Sequence, residues 1–134
     1  MTLHFNERDV RLTVFLAEDN EESHFVVRSN LKKIDETITL IHAADGDIAI
    51  KRLEEDDLVP DIFLIDINMP NTDGLALITW IKSKPHLQNI PTIAITASVF
   101  AEMKETYLEH GFQHILEKPF TRGELGELLK KVLD

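Results

Sequence analysis

The sequence predicts a single α/β domain, a doubly wound (βα)5 three-layer sandwich in which helices cover both faces of a parallel five-stranded sheet. Short apolar runs alternate along the chain with segments that place apolar residues at helical spacing. The 134 residues suffice for one hydrophobic core and are too few for two ordinary domains. Residues 1–10 show no clear period and are expected to form an extension, which leaves 11–133 for the domain.

The first strand is predicted from Arg11 to Ala17, and the first helix follows it. Asn20 suits the N-cap of this helix, where a side-chain oxygen accepts from a free backbone N–H. Val27, Leu31 and Ile34 share one face of a helix, which gives it a single apolar stripe. This stripe predicts that the helix packs on the sheet with its other faces in solvent.

The second and third strands differ in their pattern. Thr37 to Ile41 alternates imperfectly between apolar and polar residues, which fits an edge strand. Asp45 and Gly46 are expected to break this strand, and a helix is predicted from about Ile48 to Glu55. Ile62 to Ile65 is apolar without alternation, as expected for a central strand that is buried on both faces.

Turn residues delimit the next elements. A third helix starts after a turn that contains Gly74, and the Lys84-Pro85 dipeptide is expected to end it. Pro91 to Thr96 is predicted as the fourth strand. The helix after it is predicted from Ser98 to His110, because Gly111 suits the left-handed conformation that ends many helices.

The last unit is a short strand, His114 to Leu116, followed by the clearest helix of the chain. Thr121 and Glu124 have the spacing of a capping box, which marks the start of this helix. Its apolar stripe consists of Leu125, Leu128, Leu129, Val132 and Leu133.

Composition limits the classes of function. The net charge of −10 repels phosphate backbones, so no direct nucleic-acid partner is expected. The chain has no cysteine, which excludes disulfides, thiolate catalysis and cysteine metal sites. It contains neither an apolar run of about 18 residues nor a signal-peptide core. No membrane partner and a cytoplasmic location are therefore expected.

Polar side chains follow four of the predicted strands: Glu18 and Asp19, Asp66, Thr96, and Lys118. The carboxyl ends of parallel strands meet at one edge of the sheet, where open α/β sheets bind their ligands. Three carboxylates repel one another unless a cation neutralises them, and oxygen ligands favour Mg²⁺. A lysine and a hydroxyl opposite them suit an anion with several oxygens, such as a phosphoryl group.

Several short motifs, in the right order, resemble the receiver domain of two-component response regulators. The resemblance covers about residues 11–133. It rests on the Glu18-Asp19 pair, Asp66-Ile-Asn-Met-Pro70 with Gly74 beyond it, Thr96-Ala97, and Lys118-Pro119. It implies the flavodoxin-like strand order 2-1-3-4-5, with Pro70, Gly74 and Pro119 as structural residues. It also implies a phosphorelay signalling domain rather than an enzyme, apart from self-catalysed phosphorylation and dephosphorylation.

The resemblance implies a role for each residue at the sheet edge. Asp66 would accept a phosphoryl group from a phosphohistidine on a histidine kinase or phosphotransfer protein. Asp19 and Asp66 would hold Mg²⁺ directly, Glu18 through water, and Asn68 through its backbone carbonyl. Lys118 would pair with the phosphoryl oxygens and Thr96, beside Ala97, would close on them.

One position departs from the family pattern. The residue three before the lysine is often aromatic in the family and swings inward upon activation, whereas here it is Ile115. Ile115 is expected to respond by packing alone. The surface around the fourth helix and fifth strand is expected to change upon phosphorylation. The first helix, Asn20 to Lys33, corresponds to the family's usual docking face for the kinase.

Two alternatives remain. The chain could be an interaction module that has the receiver fold without switching. It could also be a phosphatase with an aspartyl nucleophile, but such enzymes typically carry a second acid two residues later, where this chain has Asn68. Because the sequence ends at Asp134, no output domain is expected, and the signal is expected to reach an unidentified protein target by docking.

Overall fold

The computed structural model describes residues 12–97 and 101–133, in which strands and helices alternate as predicted. The elements in chain order are β1 (Thr13–Ala17), α1 (Glu21–Ile34), β2 (Thr39–Ala43), α2 (Gly46–Glu55), β3 (Ile62–Asp66), α3 (Gly74–Lys82), β4 (Thr92–Thr96), α4 (Ala101–His110), β5 (His114–Glu117) and α5 (Arg122–Leu133). Within these ranges, no helix has the length and apolar content needed to cross a bilayer.

The five strands form one parallel sheet in the order β2-β1-β3-β4-β5, which confirms the predicted fold class and strand order. The register places Ala17 beside Ile65 and Asp66 beside Ile95, so β1, β3 and β4 end at the same edge of the sheet. β2 lies at one side of the sheet and is only partly buried, as the imperfect alternation predicts.

Alternate residues of the central strands point to two separate cores. Phe15 of β1 and Phe63 of β3 pack edge to face, with ring centroids 5.5 Å apart, in a core with α2, α3 and α4. Their neighbours Leu16 and Leu64 lie on the opposite face, in a core with α1 and α5. Both faces of β3 are therefore buried, which is why its sequence is apolar without alternation.

Side-chain caps fix the starts of the helices. The Asn20 Oδ1 atom accepts from the Ser23 N–H at 2.8 Å, which confirms the predicted N-cap of α1. Thr121 and Glu124 form the predicted capping box: each side chain accepts from the other residue's backbone N–H, at 3.0 and 3.1 Å. Gly111 has a φ of 114°, a conformation that favours glycine, at the end of α4.

Several predicted boundaries were wrong by about two residues. β2 begins at Thr39, because the Asp35 side chain accepts from both the N–H and the hydroxyl of Thr37 and holds that residue in a turn. α2 begins at Gly46, since Asp45 caps a helix there. α3 ends at Lys82, and β5 extends to Glu117. The predicted extension, together with Arg11 and the segment from Ser98 to Phe100, lies outside the described residues.

Candidate functional site at the carboxyl edge of the sheet

The structure brings together the three acids that the sequence places at strand ends. Glu18 and Asp19 follow β1 directly, and Asp66 is the last residue of the neighbouring β3. One carboxylate oxygen from each acid lies within 4.8 Å of the other two. Glu18 is fully buried and Asp66 is 5% exposed, whereas Asp19 is exposed and lies on the solvent side of the group.

Lys118 directly follows β5, the edge strand at the opposite end of the strand order from β2, and its side chain reaches two of these acids. Its Nζ lies 2.6 Å from Glu18 Oε1 and 3.5 Å from Asp66 Oδ2. The same Nζ donates to the Ser23 hydroxyl on α1 at 3.2 Å. Two buried carboxylates thus share one partly exposed ammonium group, which leaves the site short of positive charge.

The shortage of positive charge is reflected in the pKa of the Asp66 carboxyl. Burial, followed by the hydrogen bond and the negative charge of Glu18, raises the pKa of the Asp66 carboxyl to about 7. The Asn68 N–H, which donates to Asp66 Oδ1 at 3.1 Å, and the Lys118 ammonium act in the opposite direction. With a pKa of about 7, the Asp66 carboxyl is divided between its protonated and ionised forms near neutral pH in the metal-free protein, and a bound cation would favour the ionised form.

The ligand atoms fit a hard divalent cation. All three side chains of the cluster offer carboxylate oxygens, and within the described ranges no histidine or cysteine joins them. Such a ligand set suits Mg²⁺ better than zinc or copper. The exposed Asp19 leaves a side of the cluster open to solvent, where a cation and its remaining water ligands can be accommodated.

Thr96 ends β4 and is 2% exposed, while the following Ala97 is exposed. The Lys118 N–H donates to the Thr96 carbonyl oxygen at 2.8 Å, so the lysine and the threonine are held side by side. Pro119 follows Lys118 through a cis peptide bond. Ile115, on β5, is half-buried and packs against the core that contains Phe15 and Phe63.

The loop between β3 and α3 folds back tightly onto the end of the strand. The Gly74 N–H donates to the Ile67 carbonyl oxygen at 3.0 Å. A Cβ atom at Gly74 would lie 2.6 Å from the Asp66 carbonyl oxygen, which explains why this position has no side chain. Asn68 and Pro70 are exposed on this loop.

Sequence reasoning missed two residues of the site, Ser23 and His42. His42 Nε2 donates to the Glu18 carbonyl oxygen at 2.7 Å, and its ring stacks on that of His24 with a centroid distance of 3.6 Å. His42 reaches Glu18 because the register of β2 on β1 pairs it with Leu16. No spacing in the sequence signals such a contact, since it depends on the strand pairing.

Comparison with known proteins agrees with this geometry. The chain matches the model of the response regulator receiver domain over residues 14–130. It therefore belongs to the response regulator receiver domain family, and it is a domain of two-component phosphorelay signalling.

Two curated relatives are similar to this chain over most of its length. The chain is 33% identical, over 94% of its length, to the transcription factor SKN7 of Chaetomium thermophilum. It is 31% identical, over 92% of its length, to the signal transduction histidine-protein kinase BarA of Escherichia coli. The chain spans only 16% and 13% of these two curated relatives.

Solved structures show the same fold. The receiver domain of the sensor histidine kinase PA1611 from Pseudomonas aeruginosa superposes with a TM-score of 0.82 at 27% identity, over 92% of this chain and 98% of that one. That structure has a magnesium ion coordinated in its active site cleft. The chemotaxis protein CheY4 from Vibrio cholerae gives a TM-score of 0.83 at 22% identity, over 92% and 99% of the two chains, and supports the fold alone.

Proposed function

We propose that this chain accepts a phosphoryl group on Asp66 from a phosphohistidine of a histidine kinase or phosphotransfer protein, in a reaction that requires Mg²⁺. The observation that carries the proposal is the position of the Asp66 carboxylate. It lies buried at the end of β3, within 4.8 Å of the Glu18 and Asp19 oxygens and 3.5 Å from the Lys118 ammonium. A nucleophile, a cation site and a fixed positive charge thus converge on one point.

The proposed transfer is a single displacement at phosphorus. An Asp66 carboxylate oxygen forms the new O–P bond while the N–P bond of the phosphohistidine breaks. The imidazole leaves with the electron pair of that bond and takes up a proton from solvent. Mg²⁺, when bound, supplies neutralisation of the carboxylates and of the phosphoryl oxygens. Asp19 and Asp66 would hold it directly, Glu18 through water, and Asn68 through its backbone carbonyl.

Lys118 and Thr96 would act on the phosphoryl oxygens. Lys118 Nζ already lies near Asp66 Oδ2, so a modest shift from Glu18 would bring it onto an oxygen of the new group. Thr96 lies at the end of the neighbouring strand and would close on the same group, with Ala97 beside it. Ile115 would respond to the movement of Thr96 by repacking, which changes the surface of α4 and β5 that a protein target recognises.

The proposed domain modifies itself and does not turn over an external substrate. Asn68 occupies the place where aspartyl phosphatases typically carry a second acid, and an amide cannot donate a carboxyl proton. The proposed partners are a kinase or phosphotransfer protein, which would dock on α1, and an unidentified target protein. All of these partners would be met in the cytoplasm.

A small phosphodonor tests the proposal. The wild-type protein with acetyl phosphate and Mg²⁺ should gain one phosphoryl group by intact-mass measurement, and EDTA should prevent the gain. Asp66→Asn should abolish labelling. Asp57→Asn is the matched control, because Asp57 is exposed and its φ of 50° is one that asparagine tolerates. An unlabelled wild type, or labelling that persists in Asp66→Asn, would contradict the proposal.

A binding measurement on the same protein distinguishes a switching domain from a non-switching interaction module. A switching domain should bind its protein target with different affinity when beryllofluoride and Mg²⁺ are present. Equal affinity with and without beryllofluoride, and in Asp66→Asn, would favour the non-switching alternative.

A further inference from the structure

Three consecutive residues at the start of α2, Asp45, Gly46 and Asp47, contact the loop that follows β3. We refer to these three residues as the α2 clasp. Asp45 uses both carboxylate oxygens: Oδ1 accepts from the Ile48 N–H at 2.8 Å as the helix cap, and Oδ2 accepts from the Asn71 side-chain amide at 3.0 Å. The clasp therefore joins the N-terminus of one helix to a loop 26 residues later in the chain.

The other two clasp residues contact Thr72. The Thr72 hydroxyl donates to Asp47 Oδ1. Gly46 lies against the backbone of the same residue, since a Cβ atom there would be 2.1 Å from the Thr72 carbonyl oxygen. Substitution by any larger residue would push the loop away, because the obstructing atom belongs to the main chain.

The loop is thereby held at two places. Its base is closed by the Gly74 N–H, which donates to the Ile67 carbonyl oxygen, and its tip is held by the clasp. Asn68 lies between these two attachments and donates its N–H to Asp66 Oδ1. The backbone around Asn68 is therefore constrained from both sides before any ligand binds.

We propose that the α2 clasp positions this loop so that the Asn68 backbone carbonyl is ready to bind Mg²⁺, an inference that rests on the proposed function. The clasp residues contact the loop at Asn71 and Thr72, and they would act on the cation site through these two residues. A free loop would have to be ordered at the moment of metal binding, at a cost in conformational entropy. A loop that is already held avoids that cost and binds the metal more tightly.

The test measures the dissociation constant of Mg²⁺ by isothermal titration calorimetry on the full chain. Loss of a clasp hydrogen bond, in Thr72→Val, Asn71→Ala or Asp47→Ala, should weaken Mg²⁺ binding by about twofold to tenfold. Asp47→Asn should bind Mg²⁺ with an affinity close to that of the wild type, whereas Asp47→Ala should bind it more weakly. Both substitutions remove the charge, but asparagine keeps the oxygen that accepts from the Thr72 hydroxyl. Asn89→Ala is the control, because Asn89 is an exposed loop asparagine outside the clasp.

Urea unfolding of each variant identifies any that fail to fold. If Thr72→Val or Asn71→Ala does not fold, the comparison of Asp47→Asn with Asp47→Ala is the test. If the wild type binds Mg²⁺ and the clasp variants bind it equally well, this inference is overturned while the proposed function stands. Equal weakening in Asp47→Asn and Asp47→Ala would assign the effect to charge and overturn it too. A wild type that does not bind Mg²⁺ overturns both the proposed metal site and this inference.

Discussion

At the scale of single residues, the surroundings of Asp66 make the ionised form of its carboxyl unfavourable. Its carboxyl is buried beside Glu18, and only one ammonium group is shared between the two acids. A group that is unfavourable to ionise in the folded protein lowers stability wherever it is ionised. The proposed binding of a cation and a phosphoryl group would offset this cost, which the free protein bears as lower stability.

The raised pKa of Asp66 predicts a pH dependence in the absence of metal. The folded-state pKa of about 7 lies above the ordinary value of 3.8, so the contribution of Asp66 to stability is fully present below the ordinary value and is lost as the pH rises through about 7. Asp66→Asn does not titrate. The variant should therefore gain stability relative to the wild type between about pH 4 and about pH 8.

Urea unfolding in EDTA at a series of pH values measures this difference. Asp57→Asn, which removes an exposed aspartate, should show no comparable gain over the same range. A stability difference between Asp66→Asn and the wild type that stays constant with pH would show that the Asp66 carboxyl titrates normally.

At the scale of elements, a substitution at Gly74 tests how closely the loop after β3 must pack on the end of that strand. A Cβ at Gly74 would lie 2.6 Å from the Asp66 carbonyl oxygen and 2.7 Å from the Ile67 Cα, both main-chain atoms that cannot move alone. Gly74→Ala should therefore lower the free energy of unfolding by about 1–3 kcal/mol. It should also reduce phosphoryl labelling, because the end of β3 that carries Asp66 must shift.

The control for this prediction is Gly123→Ala. Gly123 is exposed in the first turn of α5, and a Cβ there would lie 3.7 Å from Thr121 Oγ1, an ordinary contact. Alanine at this position should leave stability unchanged or raise it by up to about 1 kcal/mol. Equal losses of stability in the two variants, measured by urea unfolding, would mean that the close approach at Gly74 is not what matters.

The elements show what the sequence could predict and what it could not. The buried run of β3 and the capping box at Thr121 were predicted correctly, because each depends on residues close together in the chain. The start of α2 was placed too late, since Asp45 and Gly46 occur in turns as well as at helix starts. The roles of Ser23 and His42 could not be predicted, because they depend on contacts between distant elements.

For the whole molecule, metal binding should be coupled to stability. Mg²⁺ that binds only the folded chain stabilises it by mass action, by about 2.7 kcal/mol at a free concentration of one hundred times the dissociation constant. The thermal unfolding temperature should therefore rise with Mg²⁺ concentration and fall back when EDTA is added. Asp19→Asn, which removes an exposed ligand of the proposed site, should show a smaller rise. An unchanged unfolding temperature in the wild type would contradict a folded-state Mg²⁺ site.

The ion pair between Glu18 and Lys118 has a consequence for biosynthesis, because its two members are 100 residues apart. A ribosome produces the buried acid early and its counter-ion late. Until β5 emerges, the growing chain lacks both the last strand of the sheet and the cation that compensates Glu18. The nascent domain should therefore complete its fold only after nearly all of it has been made, and the site and the fold should form in the same step.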